Sequence, residues 1–318
     1  MIDNIPRLTR RSALSLALVT SFAATRARAD VTTVRIGVQK YGTLVILRDR
    51  GLLDDEFAKL GYQARWTEFP AGPQLLEALN VGELDFGTTG EAPPIFAQAA
   101  GAPLMYVGVE PPSPAGEAIL VPADSPVRSI GDLCGKRVAL NKGSNVHFLL
   151  LEALASAKLT PADVALVYLA PADARAAFEQ GSVDAWVIWD PFLAAAQQAT
   201  GARVLTDATG LAPNRQYFLA SRDFVNRHGD VVRALMAQIT ATDAWAQTHQ
   251  QEVVEMLAPR LGIPAGVLAT ALSRMGYGAG PMTPAAVADQ QRIADTFFEL
   301  KLIPVKVDVR SALWNAKA

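Results

Sequence analysis

The chain has 318 residues, half of them hydrophobic and 19% charged, with a formal net charge of −2. That composition supports a sizeable core, excludes global disorder, and gives no electrostatic reason to expect nucleic acid as a partner. No apolar run reaches the roughly 18 residues of a spanning helix.

Arg7, Arg10 and Arg11 precede an uncharged, weakly apolar stretch from Ser12 to Thr25, and Ala27-Arg28-Ala29 follows. Basic, then apolar, then small residues is the layout of an export signal, predicted here over residues 1–29. Thr9-Arg10-Arg11-Ser12-Ala13-Leu14 also resembles a twin-arginine signal, departing from it at Ala13 and Ser15. The general secretory route is the alternative to twin-arginine export, and a mitochondrial transit peptide or an amphipathic helix is the alternative to an export signal. Removing residues 1–29 leaves 24 basic and 30 acidic residues, a net charge of −6, and the expected compartment is a bacterial periplasm.

Along the mature chain, strands are predicted at Val34 to Gln39, Gln63 to Phe69, Leu84 to Thr89 and Leu104 to Val109. Helices fall between them at Thr43 to Arg50, Pro73 to Asn80 and Pro93 to Ala100. In the second of these, Leu75, Leu76 and Leu79 share a face, with Pro at its start and Gly82 beyond its end. A second series begins at Lys136. Its strands are Arg137 to Leu140, Ala165 to Leu169, Ala185 to Ile188 and Arg203 to Leu205; its helices are Val146 to Ala157, Ala172 to Gln180 and Pro191 to Ala199. Alternation of this kind builds a mainly parallel sheet in each of two lobes. Each series ends a Gly-Xaa-Xaa-Asp turn with a strand, at Gly82 to Asp85 and Gly181 to Asp184. Glu117 to Val121 and Gln216 to Ala220 read as two hinge strands. The rest is helical: Asp223 to Ala258 with a break near Gly229, Ala265 to Met275 and Pro284 to Leu300, a tail expected to return to the first lobe. The expected division is lobe 1 over 30–121 plus 222–318 and lobe 2 over 122–221.

Ligands of open parallel sheets bind beyond the carboxyl ends of the strands. Four turns there carry unusual residues: Gln39-Lys40-Tyr41-Gly42-Thr43, Thr88-Thr89-Gly90-Glu91, Asn141-Lys142-Gly143-Ser144-Asn145 and Trp189-Asp190-Pro191-Phe192. Each delivers a helix N-terminus, whose free amides and dipole suit a compact anion. Plain capping explains Gly143, Ser144 and Asn145, or Asp190 and Pro191, without any ligand. Trp189 is placed to cover an alkyl or ring group. A carboxylate beside an anion is repulsive, so Glu91 is expected to bond neutral donors, a ligand amine or its own helix amides. Lys40 and Lys142 either steer an anion or are solvated surface charge. The lone cysteine, Cys134, reads as buried packing, and His147, His228 and His249 lack metal-ligand spacing. No nucleophile elbow, phosphate loop or zinc-protease helix is present, and neither metal nor cofactor is expected.

These turns carry a family resemblance. Lys40-Tyr-Gly-Thr-Leu44, Trp66 to Glu77 (WTEFPAGPQLLE), Asp85 to Glu91 (DFGTTGE), Phe96 to Gly101, Ala139 to His147 (ALNKGSNVH), Ala170 to Phe178, Gly181 to Phe192 (GSVDAWVIWDPF) and Gln290 to Pro304 resemble the aliphatic sulfonate branch of the nitrate/sulfonate/taurine periplasmic binding proteins of ABC importers. The resemblance covers nearly all of the mature chain; Thr88 is a minor departure. It implies a two-lobed type II binding-protein fold, the Venus flytrap, working as a monomer that delivers alkanesulfonates to a membrane permease with a cytoplasmic ATPase. It also implies that the sulfonate sits near Ser144 and Asn145, held too by residues matching Gln39, Gly90, Glu91, Trp189 and Asp190. Sulfonate keeps its charge at any physiological pH, so neutral donors can hold it. Taurine or nitrate is the alternative ligand, with Glu91 or Asp190 as partner for a taurine ammonium. An enzyme on the same fold and a cytoplasmic ligand-sensing domain are alternatives of other classes; the missing catalytic constellation and the export signal argue against them.

Overall fold

The computed structural model describes residues 31–315. The expected export signal lies outside the described residues. Two five-stranded sheets form two lobes. The first has the order β2-β1-β3-β10-β4, from β1 (Thr32–Val38), β2 (Tyr62–Glu68), β3 (Phe86–Gly90), β4 (Leu104–Val109) and β10 (Gln216–Ser221). The second has the order β7-β6-β8-β5-β9, from β5 (Glu117–Val121), β6 (Arg137–Leu140), β7 (Ala165–Tyr168), β8 (Ala185–Trp189) and β9 (Arg203–Asp207). The two orders are the same once β1 is matched with β6 and β10 with β5. In each, the parallel strands are joined by one antiparallel strand from across the hinge.

That exchange corrects the expected lobe boundaries. β5 was assigned by sequence to lobe 1, yet it pairs with β8 and β9 of the second sheet. β10 was assigned to lobe 2, yet it pairs with β3 and β4 of the first. Each hinge strand belongs to the lobe it enters, because its buried backbone groups find their ladder partners there. The crossings are residues 110–116 and 208–215.

The helices follow the expected series. The first lobe has α1 (Thr43–Arg50), α2 (Leu52–Leu60), α3 (Gly72–Asn80) and α4 (Ala92–Ala99). The second has α5 (Asn145–Ser156), α6 (Pro171–Glu179) and α7 (Phe192–Thr200). The tail is α8 (Arg222–Arg227), α9 (Gly229–Thr248), α10 (Gln250–Leu261), α11 (Ala265–Ser273) and α12 (Pro284–Glu299). Helix α2 was not anticipated. Gly51 is left-handed, with φ 66°, so it ends α1 and starts α2 at once. Its Leu53 and Phe57, four apart, are buried together. The tail also breaks at His249 as well as at His228 and Gly229. Cys134 is exposed, contrary to the buried reading, because it follows a short 3₁₀ turn at the surface.

Leu75, Leu76 and Leu79 are buried as their spacing implies. Helix α3 approaches the sheet so closely that a Cβ at Gly37 or Gly87 would overlap Leu75. The tail packs mainly on the first lobe: α9 lies against α1, α2 and β4, α10 against α1, and α12 against α4. Two seams join the lobes. In one, Phe297 of α12 lies 4.9 Å from Phe96 of α4 and 5.9 Å from Phe148 of α5. In the other, α11 packs on α7. Among the described residues no helix is long and apolar enough to cross a membrane.

Candidate functional site

Between the seams, beyond the carboxyl ends of both sheets, lies a cavity of about 450 Å³. Gln39 and Gly90 from the first lobe and Ser144, Asn145, Trp189 and Asp190 from the second all line it. Glu91 and Gly143 do not.

The second-lobe wall is the start of α5. The Ser144 Oγ donates 2.7 Å to the Asn141 carbonyl, leaving its lone pairs and the first-turn amides of α5 without a side-chain cap. Asn145 is a further contact between the lobes. Its Nδ2 donates to Asn214 Oδ1 at 2.8 Å, and its Oδ1 receives the Ala92 amide at 3.4 Å. Asn214 in turn donates to the Ser113 carbonyl at 2.8 Å. Gly90 faces this group so closely that any Cβ there would overlap the Asn145 amide. The absence of a side chain at Gly90 therefore lets the lobes meet. Gln39 is held to the Thr88 carbonyl at 3.3 Å.

Asp190 caps α7 by receiving the Ala194 amide at 3.0 Å and meets Arg274, at the end of α11, at 3.3 Å. Burial pushes its carboxyl up to about 6, although Arg274 and the Ala194 amide oppose this. Arg274 also donates to Gln197 of α7 at 2.8 Å, so one side chain ties the tail to the second lobe. Trp189 sits edge-on to Phe192, 6.2 Å away, and with Phe69, Pro70, Pro93 and Met275 supplies apolar wall.

The residues off the cavity work from behind it. Gly143 has φ 74°, a left-handed turn that turns the chain into α5, and its amide points to His147 Nδ1 at 3.4 Å. His147 is buried against Tyr168 and Phe297; burial, then Lys142, lowers its pKa to about 4, so the ring is neutral. Glu91 is fully buried and turned toward the hinge, where its Oε2 accepts the Arg215 amide at 3.0 Å. Burial raises it to about 7, and burial, then the nearby Glu91, push the equally buried Glu117 well above the usual carboxylate range. Lys40 is half-exposed beside Glu68, and Lys142 lies over the Tyr168 ring.

Sequence reasoning missed Glu110, Asn214, Gln216 and Arg274. Glu110 ends β4 at the same edge as the four turns, so the strand-end rule applied to every strand would have found it. Asn214, at φ 48°, and Arg274 act across the lobes and leave no local signature. Among the described residues no group of His, Cys, Asp and Glu could hold a metal ion.

The NMT1/THI5 like family model matches residues 67–253. The chain is 44% identical over 305 residues, 95% of each chain, to an aliphatic sulfonates-binding protein of Escherichia coli (strain K12). The alkanesulfonate-binding protein of Xanthomonas axonopodis pv. citri, solved bound to MOPS, superposes with a TM-score of 0.86 at 42% identity, covering 90% of this chain and 99% of that one. The periplasmic aliphatic sulphonate binding protein of Escherichia coli superposes with a TM-score of 0.81 at 45% identity, over 89% and 92%. A desulfurization enzyme shares the fold, with a TM-score of 0.64 at 18% identity.

Proposed function

The chain belongs to the NMT1/THI5-like family and to its aliphatic sulfonate-binding members, and on that premise we propose that it captures alkanesulfonates between its lobes for delivery to an ABC importer. The observation that carries this is the uncapped start of α5, opening into an inter-lobe cavity with apolar walls. Asn145, the first amides of α5 and the Ser144 hydroxyl, once turned from the Asn141 carbonyl, donate to the sulfonate oxygens, with Gln39 and the Gly90 backbone opposite. Trp189 covers the alkyl tail. Asp190, charge-balanced by Arg274, shapes the second-lobe wall without repelling the anion. Gly143 and Glu91 hold the turns that present these groups.

The protein works as a periplasmic monomer with no cofactor, exported by its N-terminal signal, and passes its ligand unaltered to the permease and its ATPase. A cavity of this volume is far larger than nitrate needs. Calorimetric titration with alkanesulfonates, nitrate and sulfate tests the reading. Tight, saturable binding of an alkanesulfonate and its recovery unchanged are expected; binding of nitrate or sulfate in preference, or a converted ligand, would overturn it.

A further inference from the structure

Among the described residues three carboxyl groups line the cavity, and two of them face cations. Glu68 lies 3.8 Å from Lys40 and 3.7 Å from Arg48, and Asp190 meets Arg274. Glu110, 3% exposed, pairs with no cation among the described residues. Arg215 reaches only its backbone carbonyl, and the Arg215 Nε is taken by Asp289. Its carboxyl instead meets Thr43, the first residue of α1. The Thr43 Oγ1 lies 2.8 Å from Glu110 Oε1 and 2.7 Å from Asp243 Oδ1.

One hydroxyl has one proton to donate. Were both carboxylates ionised, one of these short contacts would set lone pair against lone pair. One carboxyl therefore carries a proton and donates it to Thr43. The proton is placed on Glu110, because the Asp243 Oδ2 already accepts the amides of Gly278 and Ala279. The chain runs from Glu110 through Thr43 to Asp243. Burial first, then the Asp243 charge, push Glu110 up to about 8, against the Thr43 hydrogen bonds. The other ionisable neighbours, Tyr41 and Tyr277, are half-buried phenols whose pKa values desolvation raises, so they stay neutral.

We propose that Glu110 sorts sulfonates by the charge of their tails: neutral, it accepts an alkyl tail; ionised, it pairs with an ammonium. This rests on the sulfonate reading above. When an aminoalkanesulfonate enters, Glu110 releases its proton to solvent and turns its carboxylate to the ammonium, while Thr43 goes on donating to Asp243. The two ligand classes then respond oppositely to pH. Below about 8, ionising Glu110 is uphill, so affinity for the aminosulfonate rises with pH by up to about tenfold per unit. Above about 8, the bare carboxylate repels, so affinity for the alkanesulfonate falls.

The test compares ethanesulfonate with 2-aminoethanesulfonate, which differ only in the ammonium. Calorimetry near neutral pH in buffers of different ionisation enthalpy counts protons on the unmodified protein. Release approaching one proton is expected with 2-aminoethanesulfonate and none with ethanesulfonate. Titrations from about pH 6 to 9 should give opposite slopes, and Glu110→Gln should flatten both. No proton release with the aminosulfonate, a common slope, or opposite slopes that persist in Glu110→Gln would overturn the proposal. Ethanesulfonate binding without any aminosulfonate binding sinks this inference alone; failure of both ligands to bind overturns the sulfonate reading and this inference with it.

Discussion

The two lobes are built to one plan and fastened differently. In each, the strand that opens the parallel series carries an arginine that grips the Gly-Xaa-Xaa-Asp turn before the third strand of that series. In lobe 1, Arg35 donates to Asp85 at 2.6 Å and to the Gly82 carbonyl, and the Arg35 amide donates to Asp85 at 2.8 Å. In lobe 2, Arg137 does the same with Asp184 at 3.0 Å and the Gly181 carbonyl at 3.2 Å, and its amide reaches Asp184 at 2.8 Å. The Asp85 side chain is 12% exposed and Asp184 34%. The ligand-facing turns also correspond: Gly90 ends β3 and Glu91 follows it, as Trp189 ends β8 and Asp190 follows it, and Gln39-Lys40 matches Asn141-Lys142. Yet the first lobe offers a bare backbone at Gly90 where the second offers an indole. One plan has thus been divided into a wall that permits approach and a wall that fills the space.

Acid should separate the lobes most. His147 sits in the first turn of α5, whereas the matching first turn of α1 is Thr43, Leu44 and Val45. The folded state keeps His147 neutral down to about pH 4, while the unfolded chain takes up its proton from about 6.5 downward. Stability is therefore lost as pH falls through that window, by up to about 3 kcal/mol. Denaturant unfolding near pH 7 and pH 4 should show a smaller acid loss in His147→Asn; an equal loss would place the sensitivity elsewhere.

Gly90→Ala should make the two walls incompatible. The added methyl forces the Asn145 amide aside and breaks its bond to Asn214, which costs roughly 1 to 3 kcal/mol, about five- to a hundred-and-fiftyfold in affinity. Titration with an alkanesulfonate measures it, and unaltered affinity would remove Gly90 from the closing contact.

The smallest expected effect compares the two arginine grips. Asp85→Ala strands a backbone amide and a guanidinium and should destabilise by about 1.5 kcal/mol. Asp184→Ala should cost less, because its pair is more exposed to solvent. Thermal unfolding of the two variants decides it; equal losses would mean that exposure does not distinguish the lobes.

Much of this plan could be read from the chain. Leu104–Val109 and Thr43–Arg50 fall on their expected residues because an apolar run after Gly101 and Pro103 marks the first and Gly51 ends the second. Six of eight expected site residues face one cavity, because the ends of parallel strands converge whatever their sequence. What failed to show is what depends on the far lobe. Glu91 looks like a cleft residue until β10 brings the Arg215 amide to it. The hinge strands looked isolated because their partners lie on the other side of the crossing. Cys134 was misjudged because its residue type favours burial while its turn places it outside.

The exchange of hinge strands sets an order of assembly. All five strands of the second sheet lie in one uninterrupted stretch, from Glu117 to Asp207. The first sheet has a gap between β3 and β4 that only β10 fills, and the whole second lobe separates β4 from β10 in sequence. The second lobe can therefore condense while the first still waits for a strand. The first closes late, through contacts of long sequence separation, which are slow to form. A chain emerging from the ribosome would pass through a state with one finished lobe and one open sheet. It is in that interval that β3 and β4 expose unpaired edges to neighbouring chains.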